Sequence, residues 1–291
     1  MSNPELPDFD REWNYADPAA TEARFREIYT SAEGSADADY LAELTTQIAR
    51  TYSLRGRFDE AHDELDELAP KLQGAGAAPR VRYLLERART HNSAGEKERA
   101  TELFLQAWEI AHEAGEEYHA ADALHMLGLS TPPEEGLKWN ERAMEYCESC
   151  TDPLARRWLG PLYHNTWMTY LEREDYDTAL ELAQKSRAFR DETDDDEGER
   201  IGRWSIFHTQ RKMGRVDEAL AGFRALLTDY GPEGDDSGFC DEEIAECLHA
   251  LGREDEAKPH FAAAYEHLKD VRWLRESDPA RLARLRQLAG E

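Results

Sequence analysis

The chain has 291 residues, a formal net charge of −27 and an apolar fraction of 40%. This apolar fraction excludes a wholly disordered chain, and no run of apolar residues is long enough to span a membrane. The negative charge repels phosphate, which makes nucleic acid and anionic membranes poor partners. The N-terminus lacks the pattern of a secretory signal, and four cysteines are too few and scattered for a disulfide scaffold. We therefore expect a soluble, cytoplasmic protein.

The first 39 residues are predicted to form an extended segment and a capping helix. Residues 1–17 show no helical period, and we interpret them as extended. Asp17-Pro18 is a helix-start signal, and Phe25 and Ile28 give the helix that follows an apolar face. The acidic stretches 191–199 and 231–238 do not match a calcium-loop pattern and are interpreted as solvated linkers.

Residues 40–270 contain a repeating pattern. In each copy a tight turn, mostly with glycine, is followed by acidic residues and a small residue. Five copies read GRFDEA (56–61), GEKERA (95–100), EDYDTA (174–179), GRVDEA (214–219) and GREDEA (252–257), and a degenerate copy ends at Gly136. The small residues follow one another at intervals of 39, 36, 43, 40 and 38 residues. A signal that keeps its phase over most of the chain predicts a solenoid of repeats.

Each repeat is predicted to consist of two helices. After the small residue, bulky apolar residues recur at helical spacing, as in Phe223 and Leu226 after Ala219. The residue itself is small because the two helices cross closely there. The glycine before the turn can take a positive φ and so ends the first helix.

This pattern resembles the tetratricopeptide repeat (TPR). Repeat six carries the fullest match, with Ile244, Ala245, Gly252, Ala257 and Phe261 at the motif positions. The resemblance implies an all-α, right-handed α-solenoid of about six TPR-like helix hairpins with N- and C-terminal capping helices. The segments would be 1–39, the array 40–270 and a C-terminal capping helix in 271–291. The repeat averages about 39 residues here instead of 34, which is similar to the long-repeat type of kinesin light chain and of bacterial Rap regulators. The chain also resembles an uncharacterised bacterial TPR family.

The sequence contains no recognisable catalytic or metal-binding motif. Cys147-x-x-Cys150 and the pair Cys240 and Cys247 belong to repeats three and six, so they are interpreted as buried, reduced thiols and not as one zinc site. Neither a metalloprotease, nucleophile-elbow nor phosphate-binding motif is present. We predict no catalytic residues, no metal, no cofactor and no enzymatic activity.

The resemblance also implies which residues line the concave groove, because the first helix of each TPR hairpin faces it. The predicted peptide-binding residues are Arg50, Arg82, Arg89, Asn92, His125, His164, Asn165, Met168, Trp204, His208 and Arg211. Across repeats one to five, five Lys or Arg residues face the groove against three acids, although the whole chain has 35 against 62. This balance favours an acidic or C-terminal-carboxylate peptide, which arginine binds with two hydrogen bonds. The three histidines suggest that binding depends on pH.

The leading interpretation is a non-catalytic scaffold or adaptor that binds a protein or peptide in the groove. The main alternative is a peptide-responsive regulator of the Rap-like type, in which the ligand changes the shape of the solenoid. An enzyme and a homo-oligomer formed through exposed solenoid ends are further alternatives.

Overall fold

The computed structural model describes residues 6–34, 37–193, 195–231 and 237–290. Every regular element in these ranges is a helix, and consecutive helices form six TPR-like hairpins. The chain divides into two compact units, residues 1–162 and 163–291. Within the described ranges, no helix is both long and apolar enough to cross a membrane.

The N-terminal unit contains three hairpins and a capping helix. Its helices are α1 (Pro18–Ala32), α2 (Ala38–Leu54), α3 (Phe58–Leu68), α4 (Ala77–Ser93), α5 (Lys97–Ala114), α6 (Glu117–Ser130), α7 (Pro133–Ser149) and α8 (Pro153–Arg156). Short 3₁₀ helices lie at Phe9–Glu12 and Ala69–Leu72. The hairpins are α2/α3, α4/α5 and α6/α7, and their first helices α2, α4 and α6 pack side by side. Helix α1 packs against α2 through Phe25 and Ile28, both of which are buried.

The C-terminal unit contains three further hairpins. The next helix, α9 (Leu159–Glu172), includes the boundary between the units. It is followed by α10 (Tyr176–Glu192), α11 (Asp196–Lys212), α12 (Val216–Tyr230), α13 (Ser237–Ala250), α14 (Glu254–Leu268), α15 (Arg272–Ser277) and α16 (Pro279–Ala289). The last helix packs against α14, and Leu285 joins Phe223, Ile244 and Phe261 in the core. A C-terminal capping helix therefore covers the end of the apolar core.

The turn between the helices of a hairpin has the backbone conformation that the repeat pattern predicts. Gly56, Gly95, Gly214 and Gly252 have φ values of 72°, 86°, 82° and 69°. Residues other than glycine rarely adopt this left-handed region. Repeat four has Glu174 at the same place, and it takes a φ of 60°. The repeat therefore keeps its turn even where the glycine is absent.

The small residues lie where the two helices of a hairpin cross. Those of five repeats are fully buried: Ala61, Ala100, Ala179, Ala219 and Ala257. In repeat three, a Cβ added to Gly136 would lie 2.5 Å from the carbonyl oxygen of Gly128. Helices α6 and α7 therefore cross so closely that glycine replaces the usual alanine.

Two segments differ from their predicted structure. Residues 6–17 are not simply extended, since Phe9–Glu12 form a 3₁₀ turn and Phe9 is buried against Phe25. In the acidic stretch 191–199, α10 continues to Glu192 and α11 begins at Asp196, so most of the stretch is helical. Acidic residues stabilise a helix N-terminus, and here the side chain of Asp195 accepts a hydrogen bond from the Gly198 amide.

The other predicted acidic linker, 231–238, lies mostly outside the described residues. The boundaries at residues 39/40 and 270/271 stay a prediction.

The four cysteines are buried, and none of them forms a disulfide bond. Cys147 and Cys150 lie at the end of α7, and Cys240 and Cys247 lie in α13. Burial raises the pKa of Cys147 to about 12 and that of Cys150 to about 11, so both thiols are protonated at neutral pH. In the described part of the chain, no group of three or more His, Cys, Asp or Glu residues is placed to hold a metal ion.

Candidate functional site

The predicted groove residues are divided between the two units, and each unit has a pocket that some of them line. In the N-terminal unit, Arg50 and Arg82 line a pocket of about 660 Å³, whereas Arg89, Asn92 and His125 do not line it. In the C-terminal unit, five predicted residues line a pocket of about 820 Å³, and Asn165 does not. Those five are His164, Met168, Trp204, His208 and Arg211. Both volumes are typical of ligand sites in proteins.

The pocket of the C-terminal unit is built by successive first helices. Helices α9, α11 and α13 contribute side chains one helical turn apart, such as Trp204 and His208 on α11. Helices α15 and α16 close one side with Trp273 and Arg281. The lining combines charged residues with a group of apolar and aromatic ones. This group includes Trp167, Met168, Leu171, Ile201, Trp204, Phe239 and Trp273.

The aromatic wall of this pocket is held by contacts between its own side chains. The Trp167 Nε1–H donates a hydrogen bond to the Thr209 hydroxyl at 2.9 Å. Trp204 stacks on His208 with ring centroids 4.8 Å apart and meets Trp167 edge to face at 6.4 Å. Met168 and Trp273 are 45% and 52% exposed, so large apolar surface at this site faces the open pocket.

Ion pairs between neighbouring first helices neutralise the buried charges of this pocket. Arg211 donates two hydrogen bonds to Glu243, at 2.7 and 3.1 Å, and the Nδ1 of His208 lies 3.0 Å from the same carboxylate. Burial of Glu243 favours its neutral form, but hydrogen bonds and charge from His208 and Arg211 prevail and lower its pKa to about 2. The Glu243 carboxylate therefore remains ionised at any physiological pH.

The capping helix α16 repeats this arrangement with two more arginines. Arg281 binds Glu242 through hydrogen bonds of 2.7 and 2.6 Å, and Arg284 pairs with Glu246. Three charged lining residues stand outside these pairs. Glu172, Glu197 and Lys212 are exposed at the pocket and form no ion pair with the described residues.

The pocket of the N-terminal unit has a more polar lining, whose Arg50, Glu86 and Asp122 belong to an ion-pair network. The Nη1 atoms of Arg50 and Arg89 lie 3.1 and 2.7 Å from the Oε1 of Glu86. Arg89 also donates to both carboxylate oxygens of Asp122, at 2.5 and 2.6 Å. Burial opposes ionisation of Asp122, but the adjacent Arg89 guanidinium holds the pKa of that carboxyl below its usual value. This network joins α2, α4 and α6.

The remaining predicted residues of the N-terminal unit either form ion pairs or are buried. Arg82 pairs with Asp10 and, at 2.9 Å, with Glu43. His125 is buried with its ring 4.8 Å from that of Trp158, and burial lowers its pKa. The Oδ1 of Asn92 is buried and has no hydrogen-bond partner among the described residues. Burial likewise lowers the pKa of His164 in the C-terminal unit.

The cationic excess that the sequence predicts for the groove is therefore largely neutralised. Arg50, Arg82, Arg89 and Arg211 each pair with a carboxylate, and only Lys212 among the five cations forms no such pair with described residues. Sequence reasoning missed the partners, but a signal was present. Arg50 and Glu86, Arg89 and Asp122, and Arg211 and Glu243 are 36, 33 and 32 residues apart. Opposite charges about one repeat apart on first helices mark such pairs.

Sequence reasoning also missed the N-terminal segment and the capping helix as parts of these pockets. Phe9, Asp10 and Trp13 lie at the N-terminal pocket, and Trp273, Arg281 and Arg284 line the C-terminal one. These residues lie outside the repeat pattern, so the pattern carries no information about them. The sequence did contain one signal for the N-terminal segment: two aromatic residues stand among acidic ones in DFDREW (residues 8–13).

The chain has a TPR-type fold, and solved structures of that fold match it over nearly its full length. The apo form of RapI matches with a TM-score of 0.73 and 11% identity, over 97% of this chain and 82% of that one. A STAND protein with a tetratricopeptide repeat sensor from Pyrococcus horikoshii matches with a TM-score of 0.72 and 15% identity, over 94% of this chain. The chain spans only 44% of the length of that protein.

A third structure is NprR in complex with its cognate peptide NprX, with a TM-score of 0.53 and 16% identity over 97% of this chain and 82% of that one. No protein-family model and no curated protein sequence matches the chain. At these low identities the likeness concerns the fold alone, and function must be argued from the site.

Proposed function

We propose that this protein is a non-catalytic scaffold or adaptor that binds a protein or peptide ligand in the pocket of its C-terminal unit. The observation that carries the proposal is an open, aromatic-lined pocket of about 820 Å³ built from successive first helices. Such a pocket can accept a bulky apolar side chain, and peptide grooves use such anchors for most of their affinity. The proposed setting is the cytoplasm, where the buried thiols stay reduced.

The charges of the pocket argue for an apolar anchor more than for an acidic ligand. Each arginine of the lining already pairs with a carboxylate, so an acidic peptide would have to compete with Glu242, Glu243 or Glu246. Lys212 is the cation of the lining that is left to attract a carboxylate. An acidic or C-terminal carboxylate near Lys212 is therefore a subsidiary part of the proposal.

A selection of phage-displayed random peptides on the intact protein tests the proposal. We expect selected peptides to share a large apolar residue. Because Met168 and Trp273 are about half exposed, Met168→Lys and Trp273→Lys should preserve the fold while each lowers affinity about 10-fold or more. Leu129 is similarly exposed, at 48%, but lies outside the pocket, so Leu129→Lys is the matched control. Selected peptides that bind all three variants as they bind the parent would place the site elsewhere.

A peptide-responsive regulator is the second candidate, and the fold of peptide-bound NprR favours it. A regulator should change shape when the selected peptide is added, whereas a scaffold need not. Small-angle X-ray scattering with and without saturating peptide separates the two. An unchanged scattering profile would favour the scaffold, and sedimentation of the same samples would reveal any homo-oligomer.

A further inference from the structure

The N-terminal segment of the chain lies on the groove side of the N-terminal unit. We define residues 7–15 as the strap. Phe9 is 6% exposed and packs in a cluster with Phe25, Ile28, Leu44 and Ile48. It is the one buried side chain of the strap, whereas Asp10, Glu12 and Tyr15 are exposed. The strap is therefore attached to the unit through the buried Phe9, through the partly buried Trp13, which packs against the same cluster, and through a few polar contacts.

Several polar groups of the strap each have a partner on the N-terminal unit, as the groups of a bound peptide have in a binding site. Asp10 forms a two-point ion pair with Arg82 of α4. The Trp13 Nε1–H donates to the Gln47 side chain of α2 at 3.2 Å, and the Tyr40 hydroxyl donates to the Pro7 carbonyl at 2.8 Å. An aromatic anchor, a carboxylate paired with arginine and a captured backbone carbonyl are features of linear-motif recognition.

Two of the predicted groove residues take part in this recognition. Arg82 pairs with Asp10, and its guanidinium also lies 5.4 Å from the Phe9 ring centroid. Arg50 lies 5.7 Å from the ring centroids of both Trp13 and Tyr15. The strap therefore occupies the positions that the TPR resemblance assigns to a ligand.

Phe9 and Trp13 pack against Phe25 of helix α1, and Glu12 pairs with Arg24, but the start of that helix is also held by hydrogen bonds of its own. The Thr21 side chain accepts a hydrogen bond from the Asn14 amide at 3.1 Å, and Asp17 caps α1 through the Ala20 amide. These contacts hold the last residues of the strap and the start of α1 independently of residues 7–13. Release of residues 7–13 would leave the start of α1 in place.

We infer that the groove side of the N-terminal unit is a second peptide site, specific for a linear segment in which an aromatic residue is followed by an acidic one and then by a second aromatic. The strap, with Phe9, Asp10 and Trp13, is its occupant within the chain. A partner segment of the same chemistry replaces the strap. This inference is independent of the pocket proposed for the C-terminal unit.

The test uses the full chain and a fluorescein-labelled synthetic peptide with the sequence of residues 6–16, LPDFDREWNYA. In the parent, the strap competes at an effective concentration of about millimolar, so the peptide binds weakly. Asp10→Lys places a cation opposite Arg82 and weakens the strap. By fluorescence anisotropy we expect the Asp10→Lys protein to bind the peptide at least about 10-fold more tightly than the parent.

Asp8→Lys is the matched control, because Asp8 is an exposed strap carboxylate that pairs with Arg11 of the strap itself. It should bind the peptide as weakly as the parent. A probe peptide in which its own Asp10 is replaced by Lys should not bind the Asp10→Lys protein. If the Asp10→Lys and Asp8→Lys proteins bind the original peptide equally, the strap is a fixed cap and the inference is wrong.

Hydrogen exchange of the parent gives a second measurement that does not depend on any variant. The Arg11 amide donates to the Asp8 carbonyl at 3.1 Å, so exchange in this turn reports the state of the strap. Excess unlabelled peptide should accelerate exchange between residues 9 and 14. Unchanged exchange at a peptide concentration that saturates the Asp10→Lys protein would also overturn the inference.

Discussion

The two units use the same repeat positions to build a lined surface, but they fill it differently. In the N-terminal unit, the strap covers part of the surface and places Phe9 in an apolar cluster. In the C-terminal unit, the corresponding surface is an open pocket at which Met168 and Trp273 are about half exposed. Both surfaces have buried ion pairs between first helices, such as Arg89–Asp122 in the first unit and Arg211–Glu243 in the second, but the second also has a wall of aromatic side chains.

This difference shows which features of the two units come from the repeat and which come from residues outside it. The repeated glycines, alanines and aromatic residues build the hairpins and are shared by both units. Residues outside the repeat complete each surface: the strap lines the pocket of the N-terminal unit, and α15 and α16 line that of the C-terminal unit. A TPR-type array can thus carry two pockets of different chemistry, one partly covered by its own chain and one open.

The largest expected effect comes from the ion-pair network of the N-terminal unit. Asp122→Asn leaves Arg50 and Arg89 with Glu86 as their shared carboxylate and so leaves one positive charge of the network unbalanced, and removing one partner of a buried pair costs about 3–5 kcal/mol. Urea unfolding followed by circular dichroism measures the loss. Asp66→Asn is the control, because Asp66 is 69% exposed in its pair with Arg87 and its loss should cost at most about 1 kcal/mol. Equal losses for the two variants would mean that the network adds nothing beyond a surface pair.

The sequence was sufficient to predict the helix hairpins because their determinants are local and repeated. The burial of Ala257 and the positive φ of Gly252 follow from a six-residue motif. The strap could not be predicted in this way, since Asp10 and Arg82 are 72 residues apart and no repeat relates them. Cation positions were predicted on the first helices, but their neutralisation depends on carboxylates one repeat away, as with Arg211 and Glu243.

A second prediction concerns the loss of stability at acid pH and contrasts a histidine of the N-terminal unit with one of the C-terminal unit. In the N-terminal unit, burial lowers the pKa of His119 to about 4, whereas His208 in the C-terminal unit lies beside Glu243. The unfolded chain binds a proton at His119 below about pH 6.5 and the folded chain does not, so stability falls as the pH drops from 6.5 towards 4. The expected loss at His119 is on the order of 3 kcal/mol.

His119→Gln isolates this contribution. The variant should lose less stability than the parent between pH 7 and 4.5, as measured by the urea midpoint at each pH. Measurements end at pH 4.5 because Glu243, whose pKa is lowered to about 2, contributes stability that is lost only below that pH. Parallel curves for parent and variant would show that His119 does not titrate as its burial implies.

The smallest expected effect lies in the turn of repeat four, in the C-terminal unit. Glu174 has a φ of 60°, whereas the equivalent Gly214 has a φ of 82°. Because glycine adopts this conformation without steric cost, Glu174→Gly should raise the free energy of unfolding by about 0.5–1 kcal/mol. Gly214→Glu should lower it by about 1–2 kcal/mol for the same reason, since it places a side chain in the left-handed region. Thermal unfolding of both variants measures these two opposite changes in stability. A destabilised Glu174→Gly protein would indicate that the Glu174 side chain stabilises its turn by more than the strain costs.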